Sequence, residues 1–127
     1  MDLNIISELE TETQQYDLQV QIFKVLTHPA RIAILDILRD GEHCVCHMEA
    51  YLGLRQAYIS QQLSVLREAG LVQDRRDGWN IFYRVADERI YVLLDAVRQI
   101  TGQSEPEMKK PIGICKCPKC SAKVGIG

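Results

Sequence analysis

The stretch RQAYISQQLSVLREAGLVQDRRDGWNIFYRV (residues 55–85) decides the fold of this chain. Its first half repeats apolar residues at helical spacing, and these are Ile59, Leu63 and Leu66. Its second half changes to strand-forming residues on both sides of Asp77-Gly78. Asp-Gly between two such runs predicts a β-hairpin, because both turn residues must tolerate positive φ. A helix over residues 55–69 followed by a two-stranded hairpin is therefore expected.

Four further helices are expected outside that stretch, from helical spacing of apolar residues and from Gly and Pro at their ends. The predicted ranges are 16–26, 29–39, 44–52 and 87–100. Two helices joined by the short Gly53-Leu54 connection and followed by a hairpin are the parts of a winged helix-turn-helix. The predicted fold is therefore mainly α with a β-hairpin. The first and last helices are expected to pair with their copies in a homodimer, because the other helices already close a compact core.

The length of 127 residues fits one small domain with extensions. We assign residues 1–15 to an acidic N-terminal extension, 16–102 to the DNA-binding and dimerisation domain, and 103–127 to a linker and a flexible Cys-rich, metal-binding tail. No apolar run approaches the ~20 residues of a membrane span, and the acidic N-terminus is the reverse of a signal peptide. We expect a cytoplasmic protein with no membrane partner and with reduced thiols.

The net charge of −2 hides a basic middle of the chain, because arginines outnumber acidic residues between 55 and 84. In a winged helix-turn-helix the second helix enters the major groove, where small polar side chains can bond to base edges or phosphates. Arginines of the hairpin would meet phosphates or a minor groove. The alternative is a solvated helix beside an ordinary charged hairpin. The predicted contacts with double-stranded operator DNA are Arg55, Gln56, Ala57, Tyr58, Ser60, Gln61, Ser64, Arg75, Arg76 and Arg84.

All five cysteines fall into two compact groups, which are Cys44 with Cys46 and Cys115 with Cys117 and Cys120. In a reducing compartment such clusters favour metal binding or redox chemistry over structural disulfides. Residues two apart on a regular helix lie roughly 200° apart around its axis, so Cys44 and Cys46 cannot chelate one ion from an intact helix. They can do so at a frayed first turn, or if the ion unwinds the helix. The Cys-x-Cys and Cys-x-x-Cys spacings of the tail are those of a thiolate knuckle.

These thiolates indicate which ions the protein would bind, but they do not fix which cysteines bind one ion together. Soft sulfur donors suit As(III), Sb(III), Cd(II), Pb(II), Cu(I) or Zn(II), and disfavour Mg(II) and Ca(II). In one arrangement the tail thiols join Cys44 and Cys46 around one ion; in the other the tail holds a metal alone. His43 and His47 are expected to be surface histidines beside a helix start, with a possible supporting role around the metal.

Residues 16–102 resemble the ArsR/SmtB family of metal-responsive repressors. The similar segments are Leu26 to Arg31, Ile59 to Val72, Arg75-Arg76-Asp77-Gly78 with Phe82-Tyr83, and the box Glu42-His43-Cys44-Val45-Cys46-His47-Met48. The resemblance implies a homodimer that binds operator DNA when metal-free and releases it when loaded. His43 and His47 depart from the Leu and Asp usual in that box. The final helix begins Asp87-Glu88-Arg89 without the paired His of the family's zinc site there, so no zinc site is expected at that helix.

The predicted function is that of a metal(loid)-sensing transcriptional repressor, with As(III)/Sb(III) or Cd(II)/Pb(II)/Zn(II) as effector and Cys44, Cys46, Cys115, Cys117 and Cys120 as ligands. One alternative is a thiol redox or persulfide sensor of the same fold, and another is a metal-carrying or storage module. An enzyme with a small organic substrate is not expected, because no nucleophile has a base and an orienting partner at readable spacing.

Overall fold

The computed structural model describes residues 12–104 of the chain. The predicted tail ligands Cys115, Cys117 and Cys120 lie outside these residues, as does most of the acidic extension. The elements in chain order are α1 (Asp17–Val25), α2 (Pro29–Ile37), β1 (His43–Cys44), α3 (Val45–Leu52), α4 (Gln56–Glu68), β2 (Val72–Asp77), β3 (Asn80–Val85) and α5 (Ile90–Thr101).

The helices α1 to α4 confirm the predicted ranges to within about two residues. Pro29 occupies the first position of α2, where its missing N–H has no intrahelical partner to lose. A single 3₁₀ turn, Leu38–Asp40, extends α2 towards Gly41. Gly53 ends α3 in the left-handed conformation at φ 66°, which permits the short connection to α4.

The last helix was predicted to begin at Asp87, and this boundary is wrong. Helix α5 begins at Ile90, because the Asp87 carboxylate accepts a hydrogen bond from the Arg89 backbone N–H at 2.9 Å. This side-chain bond stabilises a turn in place of the first helical residues.

The sheet has three antiparallel strands in the order β1-β3-β2, where only a two-stranded hairpin was predicted. Strand β1 pairs His43 with Tyr83 and Cys44 with Phe82. A strand of two residues is too short to produce the alternation that identifies strands in a sequence.

The hairpin turn lies one residue later than predicted. Asp77 pairs with Asn80, so the two turn residues are Gly78 and Trp79. Only Gly78 has positive φ, at 61°, as expected of a turn whose first central residue alone needs that conformation. The expectation that Asp77 also adopts positive φ is therefore wrong.

The core lies between α2, α4, α5 and the inner face of the sheet. Its fully buried side chains include Ile34, Leu35, Met48, Ile59, Leu63 and Leu66. Helix α5 contributes Ile90, Tyr91 and Leu94 to this core, which corrects the expectation that the last helix has little to pack against. The same helix leaves Val97 and Ile100 exposed.

None of the helices within residues 12–104 is both long enough and apolar enough to cross a membrane.

Candidate functional site

Helix α4 presents the predicted DNA-contacting face on the outside of the molecule. Its apolar side buries Ile59, Leu63 and Leu66 completely, so the opposite side must face solvent. The predicted contacts Arg55, Gln56, Ala57, Tyr58 and Gln61 are exposed, and Ser60 and Ser64 are half-buried. Arg55 is the residue that immediately precedes the helix.

A half-buried polar contact connects α4 to the helices α1 and α2. The Arg31 guanidinium donates from Nε to Gln62 Oε1 at 2.8 Å and from Nη1 to the Val25 carbonyl oxygen at 3.2 Å. Gln62 is itself buried. Sequence reasoning missed this pair, although Gln62 lies three residues after the inward-facing Ile59 and so shares its side of the helix.

The hairpin, or wing, is tied to α4 and carries the predicted arginines on its surface. Arg67 of α4 forms an ion pair with Asp74 of β2, with Nη1 and Oδ2 3.1 Å apart. Arg84 donates from Nε and Nη2 to Gln73 Oε1 at 3.2 and 3.0 Å. Arg76 is exposed and has no side-chain hydrogen bond or ion pair with any residue that the structure describes.

Arg75 is held more firmly than the other wing arginines. Its Nε and Nη2 donate to the two carboxylate oxygens of Glu42 at 3.1 and 2.5 Å. The bond to Glu42 is the main reason that the Arg75 pKa is raised above its usual value. The guanidinium carbon also lies 5.0 Å from the centre of the Phe82 ring, a cation–π contact.

Cys44 and Cys46 lie at the start of α3, with their Sγ atoms 3.1 Å apart. Cys44 precedes the helix and has extended backbone, at φ −89° and ψ 167°, while Cys46 is the second helical residue. The angular separation of a regular helix therefore does not apply to this pair. The pair lies at the first turn of α3, and joint chelation of one ion by these two cysteines stays a prediction. No disulfide bond joins the two cysteines, and Cys44 is buried while Cys46 is half-buried.

The two cysteines pack with Phe82 in a small apolar cluster that is separate from the main core. Cys44 and Phe82 are directly opposite each other on β1 and β3, so their side chains share the outer face of the sheet. Sequence reasoning did not identify Phe82 as part of this site.

His43 is buried, contrary to the expectation of a surface histidine; its exposed fraction is 3%. Neighbouring residues of a strand point to opposite faces, so Cys44 on the outer face places His43 on the inner one. Its Nε2 lies 2.7 Å from Asp40 Oδ1, and its buried Nδ1 has no hydrogen-bond partner among the described residues. The ring stacks on His47, with centroids 4.2 Å apart and planes 8° apart. This stack braces the first turn of α3.

No group of three or more His, Cys, Asp or Glu side chains among residues 12–104 is arranged to hold a metal ion. Cys44 and Cys46 thus provide two sulfur donors, and a closed site needs at least one more ligand from elsewhere. The three tail cysteines that were predicted to supply it fall outside the described part of the chain.

Comparisons with known proteins agree with this architecture. The family profile described as bacterial regulatory protein, arsR family, matches residues 28–74. A biofilm growth-associated repressor from Agrobacterium fabrum is 46% identical over 79 residues, which cover 62% of this chain and 68% of that protein. The crystal structure of the transcriptional repressor BigR from Xylella fastidiosa is 35% identical with a TM-score of 0.62, covering 72% of this chain and 94% of that one.

A third similar protein is described as the homodimeric winged helix-turn-helix DNA-binding domain Mb0332 from Mycobacterium bovis, a possible ArsR-family regulator. Its solution structure is 28% identical with a TM-score of 0.64, and covers 75% of this chain and 88% of that one. These relatives are transcriptional regulators and not enzymes. The chain therefore belongs to the ArsR family of winged helix-turn-helix transcriptional regulators.

Proposed function

We propose that this protein is a homodimeric operator-binding repressor that releases DNA when a thiophilic metal or metalloid ion binds Cys44 and Cys46. The observation that carries the proposal is the 3.1 Å separation of the two Sγ atoms at the first turn of α3. Two sulfurs at this distance can ligate one ion after a small outward movement. The pair lies at the start of α3, the helix that directly precedes α4, and this links the ion to the DNA-binding helix.

The exposed face of α4 supports the DNA-binding part of the proposal. Gln56 and Gln61 are exposed on this helix and Ser60 is half-buried beside them, so their polar groups are available to base edges and phosphates. Arg76 adds an exposed cation on the wing. Because such binding depends on phosphate neutralisation by arginines, it should weaken with increasing salt.

The exposed apolar residues of α1 and α5 support a homodimer. Exposed fractions are 76% for Leu18, 55% for Phe23 and 84% for Ile100. Apolar surface of this extent on two terminal helices is unfavourable in water and suits burial against a second copy. The homodimeric description of the Mycobacterium bovis relative favours the same assembly.

The tail cysteines are the proposed source of the remaining ligands. Thirteen steps separate Gly102 from Cys115 in the sequence. An extended segment of that length spans ~43 Å, and we propose that it brings the tail thiols to Cys44 in the same or the partner subunit. Three thiolates would suit As(III) or Sb(III), whereas four would suit Cd(II) or Zn(II).

A second candidate is thiol redox or persulfide sensing, and the same sulfur distance favours it. A disulfide bond is about 2.05 Å long, so two sulfurs already 3.1 Å apart need only a small approach to be joined. The two candidates differ in what releases DNA: an ion under reducing conditions, or an oxidant or polysulfide without any ion.

Gel-shift titrations of the full chain under anaerobic, reducing conditions separate these candidates. As(III), Cd(II) and Zn(II) are added in turn, and a coupling of ~1–3 kcal/mol predicts a ~5- to 150-fold loss of operator affinity. Cys44→Ser and Cys46→Ser should abolish the response. Release by polysulfide or peroxide but by none of these ions would replace the metal-sensing proposal with redox sensing.

X-ray absorption of the loaded protein tests the ligand set. The number of sulfur neighbours should fall in Cys44→Ser and in Cys117→Ser if tail and box share one ion. An unchanged sulfur count in Cys44→Ser would contradict a joint site. Retained operator binding after substitution of Gln56, Ser60 and Gln61 would contradict the DNA-binding role and favour a metal-carrying module.

A further inference from the structure

Phe82 lies between the thiol pair and an arginine of the wing. The strand register places Cys44 opposite Phe82, and Phe82 opposite Arg75, in one row across the three strands. All three side chains are therefore on the same face of the sheet. Phe82 is only 3% exposed, with Cys44 and Cys46 packed against its ring.

The other side of this row fixes the position of Arg75. Its guanidinium lies over the Phe82 ring, and its Nε and Nη2 both donate to the Glu42 carboxylate. Glu42 is two residues before Cys44, so the segment that carries the thiol also carries the anchor of the arginine. The Arg75 side chain nevertheless keeps half of its surface exposed, so it can still meet a DNA phosphate.

We propose that Phe82 transmits the binding of an ion at Cys44 and Cys46 to Arg75. Ion binding would then displace a DNA contact of the wing in addition to moving α4. The inference rests on the proposed metal-sensing function and adds the route by which the ion acts on DNA binding.

The physical basis is close packing at a site with little spare space. A bound ion lies about 2.3 Å from each sulfur, and an angle of about 90° or more at the ion separates two such sulfurs by at least ~3.3 Å, so the pair must widen from its present 3.1 Å contact. The buried ring in contact with them must shift in response, because protein interiors transmit displacement when no void absorbs it. A cation–π contact and a two-point ion pair both depend on geometry, so Arg75 leaves the position that the metal-free state gives it.

The test compares operator affinity with and without As(III) in wild type and in Phe82→Leu. The ratio of the two affinities should be ~5- to 150-fold in wild type and should fall towards 1 in Phe82→Leu. The variant should still bind As(III) at wild-type stoichiometry, read from thiol titration. Ile81→Val is the matched control, because Ile81 neighbours Phe82 on β3 but faces the main core, and it should keep the wild-type ratio.

Arg75→Gln provides a second variant, which leaves Phe82 in place and removes the guanidinium from its outer side. It should weaken metal-free operator binding and reduce the As(III) ratio, because the wing contact is already lost. In the double variant Phe82→Leu/Arg75→Gln, the two reductions of the As(III) ratio should not add, as expected when two residues act through one contact.

The outcomes separate the inference from the function on which it rests. A wild-type protein that keeps its operator affinity with As(III), Cd(II) and Zn(II) overturns both. A wild-type response that Phe82→Leu retains in full overturns the inference alone. If Phe82→Leu does not fold, an undiminished As(III) ratio in Arg75→Gln overturns it equally.

Discussion

Substitution of Ile100 by Ser should dissociate the proposed dimer. Leu93, Val97 and Ile100 form a stripe along α5, and the exposed fractions of Val97 and Ile100 are 47% and 84%. Complete burial of an Ile side chain contributes ~1.5–3 kcal/mol. Because 84% of the Ile100 surface is still exposed in one subunit, most of this free energy can be gained on association. A two-fold symmetric interface loses the side chain twice, so Ile100→Ser should cost ~2.5–5 kcal/mol. The dimer dissociation constant should rise by about 60- to 4,000-fold.

Sedimentation equilibrium over a range of protein concentrations measures this constant. Val92→Ser is the control, because Val92 is 70% exposed on the same helix but lies roughly 100° around the axis from the centre of the stripe. It should change the constant far less. The thermal stability of the monomer should be similar in both variants, since neither side chain is buried within one subunit. An equal effect of both substitutions, or a shift below about tenfold for Ile100→Ser, would refute the assignment of this face.

Three further predictions concern single residues. Tyr91→Phe removes the buried bond from Tyr91 Oη to the Leu35 carbonyl oxygen (2.7 Å) and should cost ~1–3 kcal/mol in urea unfolding. Burial raises the pKa of Tyr91 from its ordinary value of 10 to about 12. The wild-type protein should therefore lose stability as pH rises above 10, and Tyr91→Phe should not show this loss. The bonds from Arg89 lower the pKa of Asp87 to about 2. Wild type should therefore be more stable than Asp87→Asn above about pH 4, and this difference should vanish as pH falls through 2. A difference that persists in acid would contradict this. Trp79→Ala should leave the melting temperature unchanged but weaken operator binding in gel shifts, because the side chain is fully exposed at the tip of the wing.

The helices and the hairpin could be predicted because each bears a local signal. Helical spacing of Ile59, Leu63 and Leu66 determines which side of α4 is buried, whatever it packs against. The position of Cys44 and Cys46 at the start of α3 followed from the predicted helix range 44–52, which apolar spacing and Gly53 delimit. Such features depend on near neighbours in the chain.

The features that were missed depend on contacts between distant residues. Strand β1 exists only because Cys44 meets Phe82 across the sheet, and no local pattern marks a two-residue strand. The burial of His43 follows from the same pairing. The contact between Arg31 and Gln62 joins residues 31 positions apart, and a polar residue in an apolar stripe gives no indication of its partner. Long-range register therefore limits what one sequence can reveal about this site.

Trp79 gives the molecule a spectroscopic property that its fold alone does not suggest. It is the single tryptophan of the 127-residue chain, and it protrudes fully into solvent at the wing turn. Its intrinsic emission should therefore be that of a hydrated indole and should arise from one known point. Contact with a DNA groove would exclude water from the ring and change both the wavelength and the intensity of that emission. The proposed contact of the wing with DNA, and the proposed release by an effector, can thus be followed in real time in the unlabelled, unmodified protein.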